Sequence, residues 1–123
     1  MQLIDSSVWV ALYLDFDTNH EKAIKLFSKI NDKIFLPYCV INEVATVLTY
    51  KHSKKQSDSF LDFITQNNDI VVMENDTKNE IEFYQKINKK ISFTDSSLVY
   101  FAQKFDLLLI TFDKQIIRLI KDK

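Results

Sequence analysis

The sequence predicts an α/β fold built around a parallel sheet. Short apolar runs, QLI at 2–4, IFL at 34–36, IVV at 70–72 and LLLIT at 107–111, are bounded by clusters of asparagine and aspartate and read as buried strands. Between them lie segments whose apolar residues recur at helical spacing. Strands that alternate with helices need crossover connections, and these produce parallel neighbours with right-handed crossovers.

The elements follow in order. The first helix runs from Ser6 to Leu14, and the second from Glu21 to Ile30, with Ala23, Ile24, Phe27 and Ile30 on one face. Pro37 suits the opening turn of a long helix that continues to about Lys51, because a residue without an N–H loses nothing there. Further helices fit 56–66, 77–88, 94–105 and 114–121. The turns DFDTN, IND, QNND, ENDT and KINKK contain no glycine, so asparagine and aspartate must supply any left-handed backbone. No repeat, linker or low-complexity tract divides the 123 residues, which fit one domain.

Composition excludes several kinds of chemistry. With no glycine anywhere, the chain has neither a P-loop nor a dinucleotide fingerprint, since both need backbone amides to approach a phosphate closely. Two distant histidines, His20 and His52, and one cysteine, Cys39, do not compose a structural zinc site. Cys39 cannot form an internal disulfide and reads as a small buried thiol. The opening MQLIDSSVWV has no basic leader or cleavage site, and the apolar runs are far too short for a membrane span. A cytoplasmic protein without membrane association is the expectation. A hard metal held by carboxylate oxygens remains open.

Ligands of parallel sheets bind at the carboxyl ends of the strands, which makes a test for the 17 acidic residues. Asp5 directly follows QLI, and Asp113 follows LLLIT after Phe112. Glu43 lies in the second turn of the helix after IFLP, with Val40 and Val47 on its side. Asp95 opens the helix that precedes LLLIT, in line with Leu98 and Ala102. Asp58, Asp62, Glu80 and Glu82 stand in polar stretches and read as solvated. Buried carboxylates are costly unless paired or bound to a metal, so four at one sheet end would call for divalent cations. Setting those four aside leaves 13 of the 17 acids against 16 basic residues. An alternative stays open: Asp5, Asp95 and Asp113 each stand near a helix start, where aspartate caps free N–H groups, and SFTD has the form of a capping box with Ser92 as N-cap.

The stretches LIDSSVWVAL, LPYCVINEVATVL and FTDSSLVYFAQKFDLLLITFDK resemble, in order and spacing, the acidic motifs of PIN-domain ribonucleases, in particular the VapC-type toxins of toxin–antitoxin pairs. The resemblance implies a PIN-like nuclease domain over 1–123, a three-layer α/β fold with a parallel sheet of four or five strands flanked by helices. It implies that Asp5, Glu43, Asp95 and Asp113 are catalytic residues that bind one or two Mg²⁺ or Mn²⁺ ions. Ser7 and Thr111 match hydroxyls that orient a carboxylate or a water. Family members often add a terminal strand, whereas KQIIRLIKDK reads as a helix.

The implied activity is hydrolysis of RNA by metal-activated water, leaving 5′-phosphate and 3′-hydroxyl ends. The implied partners are RNA, a small antitoxin protein and a second copy of the chain. Candidate RNA contacts are Lys51, Lys54, Lys55 and Lys114, with Lys86, Lys89 and Lys90 as a second group; ordinary solvated lysines would look the same. Trp9, Tyr13 and Phe16, with IKLF, suit either core packing or a groove for an antitoxin segment. Two other readings are an RNA-processing nuclease outside any toxin pair and a PIN-like module that binds without cutting.

Overall fold

The computed structural model describes residues 1–121. Its strands are β1 (Gln2–Ile4), β2 (Ile34–Pro37), β3 (Ile70–Met73) and β4 (Leu108–Ile110). The helices are α1 (Ser6–Tyr13), α2 (His20–Ser28), α3 (Tyr38–Lys51), α4 (Lys54–Gln66), α5 (Thr77–Lys86), α6 (Phe93–Lys104) and α7 (Lys114–Lys121). The α/β expectation holds, and the expected spans are reached to within two residues at most ends. All strand pairs are parallel, in the order β3-β2-β1-β4. The terminal segment is the helix α7 and not a fifth strand among the described residues.

The order has a direct consequence. The chain moves from β1 to β2 to β3 in one direction, then returns past β1 to place β4 on its other side. Connections leaving β1 and β4 therefore diverge, which opens a crevice beyond their carboxyl ends. Gln2 pairs with both Ile34 and Leu108, and Ile4 lies opposite Ile110, so Asp5 and Thr111 emerge side by side.

The core forms where the helices meet the sheet. Leu3, Ile4, Leu36, Val40, Val44, Leu48, Phe60 and Leu98 are fully buried. Trp9 is also fully buried, its ring tilted on Phe27 at 4.8 Å and edge-on to Phe60 at 5.5 Å. Trp9 therefore belongs to the core and cannot line a groove, whereas Phe16 is exposed. Ile24 is exposed too, because α2 meets its neighbours mainly through Ala23, Leu26 and Phe27. A smaller cluster of Val99, Ile116 and Leu119 anchors α7 on α6.

Helix α6 buries two adjacent hydroxyls, Ser96 and Ser97, with no hydrogen-bond partner among the described residues. Small side chains let the helix sit close to the sheet. At the far wall, Asp76 accepts hydrogen bonds from Tyr100 Oη and, at 2.7 Å, Lys104 Nζ, tying the start of α5 to α6. Lys104, Tyr100 and Asn79 together hold the Asp76 carboxyl down at about 2.

Leu98→Ala should cost about 2–5 kcal/mol in urea unfolding, since a fully buried side chain is removed beside an otherwise closed core. Ser97→Ala should cost nothing or stabilise, because it removes an unpaired polar group and no contact partner. Asp76→Asn should lower the Tm at pH 7. A depressed carboxyl contributes above its unfolded value and is lost as pH falls through the folded one, so the difference should fade between about pH 4 and pH 2, read by thermal melts.

Candidate active site

Asp5 sits where β1 becomes α1. Its N–H donates to the Ile110 carbonyl at 2.9 Å, continuing the β1–β4 pairing by one residue. It is the N-cap residue of α1 by position, but its side chain makes no cap bond. The carboxylate instead gathers hydroxyls: Ser7 Oγ and Thr111 Oγ1 each donate to Oδ2 at 2.7 Å, and Ser6 Oγ lies 3.2 Å from Oδ1. With the residue 2 % exposed, these bonds replace the water that the charge has lost. Capping thus does not explain Asp5.

The two hydroxyls expected to act as orienting groups lock neighbouring segments together. Thr111 Oγ1 also accepts the Asp113 N–H at 2.9 Å, and Ser7 Oγ accepts the Phe112 N–H at 3.3 Å. The segment after β4 is thereby fixed against the start of α1. Asp113 does cap its helix, its Oδ1 accepting the Gln115 N–H at 2.8 Å.

Glu43 projects from α3 beside the buried stripe of Val40, Val44 and Leu48. Its carboxylate is half-buried at the flank of that stripe, and Val47 is only partly buried, so the expected continuation through Val47 is shifted by one position. Ser6 Oγ donates to Glu43 Oε1 at 2.7 Å, the shorter of its two carboxylate contacts, and so links Glu43 to the Asp5 segment.

Asp95 lies in the first turn of α6. The N-cap is Ser92, whose Oγ accepts the Asp95 N–H at 3.1 Å, as the capping-box reading expected. The Asp95 carboxyl is pushed up to about 6, first by burial and then by the charge of Asp5, with smaller contributions from Asp113 and Glu43. Ser92 opposes the shift by hydrogen bonding.

These four acids, from four separate segments, line one cleft of about 410 Å³ at the carboxyl end of the sheet. Among the polar residues of that cleft, Ser6, Asp17 and Thr94 escaped sequence reasoning. Ser6 and Thr94 each adjoin a predicted acid and could have been found that way. Asp17 stands in the turn after α1, where its Oδ1 accepts the Asn19 N–H, and nothing local distinguishes it from an ordinary turn aspartate.

Of the lysines, Lys51 lines the cleft. Lys54, Lys55 and Lys114 do not: Lys54 pairs with Asp58 one turn on, and Lys55 and Lys114 are exposed. Lys89 and Lys90 border a separate cavity with Gln115 and Arg118. Glu80, expected in solvent, is 4 % exposed, because its Oε2 turns back to accept the Asp76 N–H at 2.7 Å.

Among the described residues no group of three histidine, cysteine, aspartate or glutamate side chains is already closed around a point that would hold a metal ion. The donor set itself consists of carboxylate and hydroxyl oxygens, the chemistry suited to Mg²⁺ or Mn²⁺. Burial first, and then the charges of Asp5, Asp113 and Glu43, favour the neutral form of Asp95, and a cation in the cleft would offset those charges. On donor chemistry, therefore, the residues fit such an ion.

No curated protein sequence matches the chain. Eight chains of solved structures do match. One is the crystal structure of Mycobacterium tuberculosis VapC20, a toxin that cleaves the sarcin–ricin loop; it superposes with a TM-score of 0.88 over 97 % of this chain and 95 % of that one, at 17 % identity. At that identity the likeness is one of fold. The PIN domain family matches residues 3–122, nearly the whole sequence, and this chain is therefore a member of the PIN-domain family.

Proposed function

We propose that this PIN-domain chain is a metal-dependent endoribonuclease and the toxin of a type II toxin–antitoxin pair. The convergence of Asp5, Glu43, Asp95 and Asp113 on one cleft at the diverging ends of β1 and β4 carries this reading. Asp5, Glu43, Asp95 and Asp113 would hold one or two Mg²⁺ or Mn²⁺ ions. Bound there, such ions supply an acidified water and offset charge on the phosphate oxygens.

The chain's own residues prepare that chemistry. Ser7 and Thr111 hold Asp5 in one orientation, Ser6 ties Glu43 to the same segment, and Thr111 sets the backbone of Asp113. Lys51, which lines the cleft, would meet the RNA backbone there. The exposed Lys114, next to Asp113 in sequence, and the exposed Lys54 and Lys55 would add weaker contacts outside the cleft. No helix of the described residues is long and apolar enough to cross a membrane, which suits the cytoplasmic setting of this reading. A small antitoxin segment covering the cleft and a homodimer complete it.

With Mg²⁺ or Mn²⁺ and a defined single-stranded RNA, the wild-type chain should cleave, and Asp5→Asn or Asp95→Asn should reduce the rate at least about a hundredfold, the order lost with a positioned charge. Cleavage that survives either substitution, or that proceeds unchanged in chelator, would sink the metal-nuclease reading. An adjacent reading frame whose product co-purifies with the chain and blocks cleavage would support the toxin pair, and its absence would favour RNA processing. Asp95 also sets a pH limit: a bound cation favours its charged form, so activity should be lost only below the metal-free value of about 6, and the midpoint should move lower as Mn²⁺ is raised.

The metal-free protein should show the opposite sign in stability. Because the folded carboxyl is raised to about 6 against an ordinary value near 4, its ionisation penalises the fold progressively from about pH 4 to pH 6. In chelator, Asp95→Asn should raise the Tm at pH 8, and the gain should vanish towards pH 4. Melts at both values check this.

A further inference from the structure

A cavity of about 530 Å³ adjoins the acid cleft and shares Glu43 and Thr94 with it. Its volume lies within the range of roughly 300–1,000 Å³ usual for small-molecule sites. Tyr38 and Phe93 border it, 55 % and 43 % exposed despite their size. Asn42 and the buried Glu80 supply polar groups on its walls. No lysine or arginine lines it among the described residues. Burial, followed by the charges of Glu80 and Glu43, pushes the Cys39 thiol in its wall up to about 12, so the thiol keeps its proton.

A phosphate would find two carboxylates and no cation in this cavity. A flat, neutral ring with N–H donors would find aromatic faces, an amide and an acceptor. We propose that the cavity seats one unpaired base of the RNA, next to the phosphate held in the acid cleft, with guanine the best occupant. This deepens the nuclease reading and rests on it.

Guanine presents two neighbouring donors, N1–H and N2–H, to a carboxylate. Uracil presents one donor between two carbonyls, which a carboxylate repels. Glu80 sets this preference, Asn42 adds a contact to the ring edge, and Tyr38 and Phe93 stack. Stacking on an aromatic side chain is tolerant of sequence, so the aromatic pair sets affinity and Glu80 sets choice.

The test uses the full chain with Mn²⁺ and single-stranded RNAs that differ at one base beside the cleaved bond. The expected result is a KM for guanine at least about tenfold below that for uracil, a difference that Glu80→Gln shrinks several-fold at nearly constant kcat. Phe93→Ala and Tyr38→Ala should each raise KM about tenfold with kcat within twofold. In parallel, guanosine and uridine are titrated into the uncleaving Asp95→Asn chain and followed by amide NMR shifts, with guanosine expected to move Asn42, Thr46 and Thr94. Equal KM across the bases together with wild-type KM in both aromatic variants overturns the base site while leaving the nuclease intact. If the wild-type chain cleaves nothing, the nuclease reading falls and the nucleoside titration alone decides: shifts in this wall uphold the site and their absence overturns it. A Phe93→Ala variant that changes only the oligomeric state assigns the cavity to a second copy, and likewise overturns the proposal.

Discussion

The site depends on the web of hydroxyls around Asp5. One buried carboxylate accepts from Ser7 and Thr111, and these same oxygens accept the backbone N–H groups of Phe112 and Asp113. A charge at the end of the central strand is thus stabilised by groups that in turn position the segments on either side. Neutral hydroxyl donors do this without cancelling the charge. A lysine in the same place would pair with Asp5 and leave nothing for a cation.

Strand order makes this web possible. Because β4 lies beside β1 and the chain leaves the two strands in different directions, residues more than a hundred positions apart come within 2.7 Å of each other. Helices α3 and α6 then bring Glu43 and Asp95 to the same opening. Core packing and site chemistry are coupled on α6, where Asp95 stands in the turn just before the buried Ser96, Ser97 and Leu98. Close approach of that helix to the sheet buries the Asp95 carboxyl and sets it within the field of Asp5, and both raise it.

Much of this was legible before any coordinates. The strand runs, helical phases and positions of Asp5, Glu43, Asp95 and Asp113 depend on local periodicity and on which end of a parallel sheet is open, and both can be read from residue order. The capping alternative could not be resolved that way. Position alone makes Asp5 and Asp113 look alike, yet only Asp113 uses its side chain on its helix, because the hydroxyls that divert Asp5 come from Ser7 nearby and Thr111 far along the chain. Glu80 was misplaced in solvent because the preceding ENDTKN is polar throughout, while its side chain turns back onto the Asp76 N–H in the wall of the cavity bordered by Tyr38 and Phe93. Asp17 likewise gains meaning only from what folds against it.

The absence of glycine bears on more than phosphate loops. Among the described residues, Asp106 alone takes a positive φ, 52°, and no other turn needs left-handed backbone. Glycine is the residue that surrenders most freedom on folding. A chain without it begins from a narrower unfolded ensemble and loses less backbone entropy in reaching the native state. That thermodynamic margin lies in the denatured chain, where no contact reveals it, and it helps a 123-residue fold to tolerate four acids facing one another.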